Sequence, residues 1–178
     1  SMHTRLHYNN CAPVEPPPPT PPAWAFADAV YGSGNNFPIS GGEGRDVSLA
    51  DLDADGDLDV FLANRGQPPR IYLNSGAGSF ESDDGSRFPQ SEPNQNAEWA
   101  GLADVDLDGD LDAILGKDQG SGSFWPSVYL NDRAQGGAAA FTAAPGNVPA
   151  WQGETVYSLA LGDLGGDGLA DLYAVRAD

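Results

Sequence analysis

Three acidic segments are distinguished by residue type and spacing: Asp51-Leu52-Asp53-Ala54-Asp55-Gly56-Asp57-Leu58-Asp59, Asp104-Val105-Asp106-Leu107-Asp108-Gly109-Asp110-Leu111-Asp112, and Asp163-Leu164-Gly165-Gly166-Asp167-Gly168-Leu169-Ala170-Asp171. In the first two, carboxylates at loop positions 1, 3, 5 and 9 can converge because the glycine at position 6 permits a sharp turn, and Asp57 or Asp110 at position 7 offers its backbone carbonyl. Such a set supplies about six to eight hard oxygen donors, which suits Ca²⁺, and no soft donor that would select a transition metal. Mg²⁺ fits less well, because it tolerates crowded carboxylate cages poorly. In the third segment Gly165 replaces the position-3 carboxylate. Asp163, Asp167, Asp171 and the carbonyl of Leu169 remain, so weaker binding with water filling the gap is expected. An EF-hand would place Glu at position 12, where Leu62 and Leu115 stand. The alternative, acidic turns that are merely solvated, requires the same pattern to arise three times.

The charge distribution supports a cation. The chain of 178 residues carries 26 acidic and 8 basic side chains, a formal charge of −18, and 13 of the acids fall in the three segments. Their mutual repulsion opposes folding unless a counter-charge sits among them. The same field repels a phosphate backbone, so nucleic acid is excluded as a partner. Catalysis finds little support. Both histidines, His3 and His7, lie in the first ten residues, and Cys11 is the only cysteine, so the rest of the chain lacks the commonest general base, a thiolate nucleophile and any disulfide. The clustered carboxylates are accounted for as ligands, and a non-catalytic protein is expected rather than a polysaccharide lyase or hydrolase.

The elements that must hold these loops are short strands. Gly 23 and Pro 15 exceed ordinary usage, Lys117 is the only lysine, and no window keeps helical apolar spacing or reaches the length of a membrane span. Residues 1–22, with their run of prolines from Pro16 to Pro22, read as a disordered tail or linker that extends as polyproline II. No apolar leader with a small-residue cleavage site occurs there, so a secretion signal is expected outside this sequence.

Residues 23–178 repeat. Val47 to Ala50, Ala100 to Ala103 and Leu159 to Gly162 each deliver the first Asp of a loop, and apolar runs follow each loop: Leu58 to Leu62, Leu111 to Leu115, and Leu169 to Val175. Ile71-Tyr72-Leu73-Asn74 and Val128-Tyr129-Leu130-Asn131 give a third element, and Phe80 and Phe141 open a fourth. Loop-to-loop spacings of 53 and 59 residues leave room for four short strands, the size of a propeller blade. The expected fold is all-β, with about three blades of four-stranded antiparallel sheet. Asp28 to Phe37 matches Arg70 to Phe80, so the repeats start and end mid-blade, and closure is expected either from a second copy, most simply as a homodimer of about six blades, or from further sequence. In the dimer, strands near Leu159 to Val175 would pair with those around Ala29 to Phe37 of the other copy.

Asp-x-Asp-x-Asp-Gly-x-x-Asp between short strands, followed by Tyr-Leu-Asn and Phe, resembles the FG-GAP or VCBS-type repeat of integrin α-subunit propellers, some fungal lectins and many bacterial surface proteins. The resemblance covers residues 24–178. It implies propeller blades with Ca²⁺ in the hairpin between the first two strands, an extracellular or cell-surface location, and a role in adhesion, lectin-like carbohydrate binding or protein binding. By repeat alignment Arg45, Trp99, Trp125 and Tyr157 fall in or near blade connections, where aromatics could stack on sugars. The alternative for Trp99 and Trp151 is packing between blades.

Overall fold

The computed structural model describes residues 7–8, 27–28, 43–76, 80–81, 85–90, 96–118, 124–133, 139–144 and 156–176. The chain divides into two compact units, Ser1–Asn35 and Asn36–Asp178. In the first, β1 (His7–Tyr8) pairs antiparallel with β2 (Ala27–Asp28). β1 lies inside the segment expected as a tail, whereas Ala29 to Phe37, expected as a blade strand, lies outside the described residues.

The second unit is built from hairpins. Strand β3 (Glu43–Ala50) enters the first loop and β4 (Asp59–Arg65) leaves it; β6 (Ala97–Ala103) and β7 (Asp112–Asp118) flank the second; β10 (Val156–Gly162) and β11 (Asp171–Arg176) flank the third. Registers are equivalent at all three loop mouths: Ala50 opposes Asp59, Ala103 opposes Asp112, and Gly162 opposes Asp171. Short β-branched and aliphatic runs favour strands, and each loop acts as the fixed hairpin connection. The sheets grow outward in chain order, β3-β4-β5 with β5 at Arg70–Tyr72, and β6-β7-β8-β9 with β8 at Phe124–Asn131 and β9 at Phe141–Ala143. All ladders are antiparallel, and among the described residues there is no α-helix and hence none that could cross a membrane.

Among the described residues only the second sheet has all four expected strands. In the first, the fourth is represented there by one bridge, Asn74 to Phe80, at the place where Asn131 pairs with Phe141 in the second. The third sheet has two strands among the described residues. The sheets do not close into a ring within the described residues.

The central strands are the most buried. Phe61, Ala63, Ala113 and Leu115 are fully enclosed, and each large apolar side chain so buried contributes about 1.5–3 kcal/mol. One cluster joins the first two sheets. Phe61 meets Phe141 edge-on at 5.6 Å between ring centres, and Phe88 sits 4.4 Å from Tyr129 and 6.1 Å from Phe61. Phe88 comes from the connection between β5 and β6, where no periodic pattern marks it as core. The amide of Phe141 donates to the carbonyl of Arg87 at 2.8 Å, which fixes that connection against β9.

The leading strands β3, β6 and β10 stand side by side. Ser48 Oγ donates to the carbonyl of Ala100, whose amide donates to Asp46 Oδ2 at 3.0 Å. On the other side Gly101 leaves room for Leu161, whose Cδ1 lies 2.6 Å from where a Cβ on Gly101 would stand. Apolar side chains on β3 and on β11, the ladder partner of β10, are open: Val47 and Leu49 on β3, and Tyr173 and Val175 on β11, are all more than two-fifths exposed. The apolar run after the third loop therefore forms the expected strand but does not enter the core.

Candidate metal centres

Each loop is wound by its own carboxylates. In the first, the amide of Gly56 donates to Asp51 Oδ2 at 3.1 Å, that of Asp55 to Asp53 Oδ1 at 3.2 Å, and that of Asp57 to Asp55 Oδ1 at 2.9 Å. The second repeats these bonds at Gly109, Asp108 and Asp110 with the same lengths. Such Asx turns place successive carboxylates on the inside of the loop. The winding needs left-handed backbone at positions 4 and 6. Position 6 is glycine in every loop, at φ 96° for Gly56, 94° for Gly109 and 84° for Gly168, whereas position 4 is Ala54 at 59°, Leu107 at 63° and Gly166 at 70°. A side chain in that region costs about 1 kcal/mol or more, so Ala54 and Leu107 are held there by the loop.

The winding brings Asp51, Asp53 and Asp59 together in the first loop and Asp104, Asp106 and Asp108 in the second, each trio with oxygens within 4.8 Å of one another. Asp59 and Asp112, both fully buried, anchor the loop bases. Asp59 accepts the amides of Leu52 at 2.7 Å and Asn74 at 2.8 Å; Asp112 accepts those of Val105 and Asn131, both at 2.8 Å. Burial raises both carboxyls above the ordinary carboxylate value, with these amides acting against it and the neighbouring loop acids adding to it. Asp53 is also raised, first by burial and further by Asp55 and Asp51.

Asp51 Oδ1 and Asp104 Oδ1 are buried and have no hydrogen-bond partner. An orphaned carboxylate oxygen facing other carboxylates is costly, and a cation is the partner that the donor set suits. All donors are oxygens, so the two loops fit Ca²⁺.

The third loop is closed differently. Both oxygens of Asp163 are taken by amides: Gly166 and Asp167 donate to Oδ1 at 2.6 and 3.1 Å, and Gly168 to Oδ2 at 2.9 Å. The Gly168 amide foremost, then Gly166 and Asp167, hold the Asp163 carboxyl below its ordinary value. Asp171 accepts Leu164 and Gly165, and Asp167 accepts Leu169. With glycine at position 3, the loop satisfies its first carboxylate with its own backbone.

Outside the trios, the carboxylate of Asp57 lies against Gly76, whose added Cβ would stand 2.7 Å from Oδ2. At the equivalent place in the second loop, Asp110 is paired with Arg133, which holds its carboxyl below the ordinary value. The sequence gives no spacing rule that identifies Arg133; only alignment of Tyr129-Leu130-Asn131-Asp132-Arg133 with Tyr72-Leu73-Asn74-Ser75-Gly76 exposes the difference.

The residues expected to contact a ligand lie near the starts of strands: Arg45 in β3, Trp99 in β6, Trp125 in β8 and Tyr157 in β10. Arg45 is held by Glu43 at 2.8 Å and Glu98 at 3.4 Å. Trp99 covers Gly116, its ladder partner, so closely that its ring occupies the place of a Cβ there. This is a packing role. The side chains of Trp125 and Tyr157, and residue Trp151, lie outside the described residues.

Residues 51–115, from the first loop through most of β7, match the family model of the FG-GAP-like repeat. The chain thus contains an FG-GAP-type repeat, and its antiparallel sheets have the form of that repeat's blades. A search of curated proteins returned no match.

Proposed function

We propose that the protein is a non-catalytic, calcium-binding β-propeller module that presents its surface to a carbohydrate or protein ligand, in adhesion or lectin-like recognition outside the cell. The observation that carries the calcium reading is the pair of orphaned buried oxygens, Asp51 Oδ1 and Asp104 Oδ1, each within a carboxylate trio. Asp51, Asp53, Asp55 and Asp59 with the carbonyl of Asp57 would hold one ion, and Asp104, Asp106, Asp108 and Asp112 with the carbonyl of Asp110 a second. Asp163, Asp167 and Asp171 with the carbonyl of Leu169 form a weaker third site. The ion supplies positive charge that lets each hairpin close without carboxylate repulsion.

The exposed apolar residues on β3 and on β11 support a ring completed by a second copy, a homodimer in the simplest case. Calorimetric titration with Ca²⁺, paired with thermal melts in chelator and in millimolar Ca²⁺, tests the metal. Ligand linkage gives about 2.7 kcal/mol per site at a hundredfold excess over Kd, a clear rise in Tm. Equal melting temperatures in the two conditions would overturn the reading. A glycan panel scored for both binding and turnover separates a binding module from a polysaccharide-active enzyme, and light scattering reads the oligomer.

A further inference from the structure

The first and second loops carry the same five aspartates, yet only the second is reached by the guanidinium described above. The backbone amide of Arg133 donates to Asp110 Oδ2 at 3.0 Å, its Nε and terminal nitrogen both contact Asp110 Oδ1, and that nitrogen also donates to the carbonyl of Gly109 at 3.0 Å. The two side chains are 21% and 10% exposed, so water screens the pair only in part. In the first loop the corresponding residue is Gly76, at φ 85°, where a side chain is strained and an added Cβ would stand 2.7 Å from Asp57 Oδ2.

We propose that Arg133 is a built-in counter-ion of the second loop, which weakens metal binding there and keeps the loop closed without metal. The inference rests on the calcium reading above. Formal charge falls from −5 in the first loop to −4 in the second once Arg133 is counted, and ligand charge is what grades the affinity of carboxylate loops for Ca²⁺. Because the guanidinium binds position 7 and the carbonyl of position 6, it leaves the Asp104, Asp106 and Asp108 trio open. It therefore competes by charge rather than by occupying the site.

The test uses the full chain in two backgrounds. Asp53→Asn disables the first loop and reports the second; Asp106→Asn does the reverse. In the Asp53→Asn background, Arg133→Gln is expected to tighten Ca²⁺ binding about fivefold, the effect of a unit charge on a dication under largely aqueous screening, and to steepen its dependence on ionic strength. In the Asp106→Asn background the same substitution reads how much of that charge reaches the first loop, whose Asp51 also interacts with Arg133. Arg133→Lys, which keeps the charge, should stay near the parent. In chelator, Arg133→Gln should lower Tm. Tighter binding together with a less stable metal-free state is a combination that a merely structural arginine would not produce. Unchanged or weaker binding by Arg133→Gln in the Asp53→Asn background overturns the proposal. If Arg133→Gln does not fold, Arg133→Gly, which installs the residue of the first repeat, takes its place with the same outcomes. Wild type that binds no Ca²⁺ overturns the calcium reading and this inference with it, whereas wild type that binds Ca²⁺ at a second loop whose affinity the loss of Arg133 leaves unmoved overturns this inference alone.

Discussion

The side-chain amide of Asn131 donates to the carbonyl of Leu52, 79 positions earlier in the chain, at 3.1 Å. The amide of Leu52 in turn holds Asp59, and the backbone amide of Asn131 holds Asp112. One asparagine thereby ties the base of the first loop to the base of the second. Its side chain also donates to the carbonyl of Leu111 and accepts from the amide of Ala140. Asn74, its counterpart in the first repeat, is less buried; its side-chain amide donates to its own loop, at the carbonyl of Leu58, and its side-chain oxygen accepts the amide of Gly76.

Asn131→Ala is therefore expected to cost about 2–3 kcal/mol, since buried carbonyls lose their donor, while Asn74→Ala should cost about 1 kcal/mol. Urea denaturation of the two variants measures the difference. Calcium affinity should fall at both loops for Asn131→Ala and chiefly at the first for Asn74→Ala.

Gly165 offers a gain of function. A Cβ there would make only ordinary contact, 3.6 Å from Asp167 Cγ, so Gly165→Ala should be nearly neutral and Gly165→Asp should fit. Gly165→Asp is expected to tighten the third site several-fold and to lower stability in chelator, through repulsion with Asp167 and Asp163. Asp53→Ala should remove more calcium-dependent stability than Gly165→Ala. Three indistinguishable sites in a calorimetric titration of wild type would contradict this ranking.

Gly116 and Trp99 should behave as a pair. Gly116→Ala forces the indole off the sheet and is expected to cost about 1–3 kcal/mol, the usual range for overpacking. In Gly116→Ala/Trp99→Ala the added methyl should cost far less than it does beside Trp99. Denaturation midpoints around this double-mutant cycle check the coupling.

Acidity should act in opposite directions with and without metal. Asp59 and Asp112 titrate above 3.8 in the folded chain, so across the window from 3.8 to their raised values the native state holds more protons than the unfolded one. Their unfavourable burial is relieved as pH falls into that window and returns in full above it. Asp110 and Asp163, lowered by Arg133 and by the Gly168 amide, contribute stability that is present above 3.8 and lost only as pH falls below it. Melts in chelator should accordingly rise as pH falls into that window, while melts in millimolar Ca²⁺ should fall because protons displace the cation. Parallel curves would count against metal at these carboxylates.

The loops and their flanking strands were legible in the sequence because their determinants are local. An Asp at every second position, a glycine at position 6 and an apolar run on either side are enough to place Asp51 to Asp59 between β3 and β4. The Tyr-Leu-Asn element was legible for the same reason. Phe88 was not, since its burial depends on β8 and β9 converging on it from residues 129 and 141. Arg133 was hidden because its partner lies 23 positions away and no motif requires it. Trp99 sits near the start of a strand, and what decides between the ligand and packing roles open to it in the sequence is the absence of a side chain on Gly116, a cross-strand relationship that only the register reveals. The open face of β11 was equally unreadable, as Tyr173 and Val175 have the residue types of a core strand.

Among the described residues within 43–176 every ladder joins strands that are consecutive in the chain, and neighbouring sheets share no ladder. A repeat can thus be duplicated or deleted in tandem without breaking a single strand pairing in those that remain. What a new neighbour must match is small: a residue such as Gly101 that admits a leucine like Leu161, or a hydroxyl such as that of Ser48 that reaches a backbone carbonyl. Blade number in such an architecture is free to change by gene duplication, while the acidic loops, each wound by the carboxylates of its own hairpin, are inherited whole.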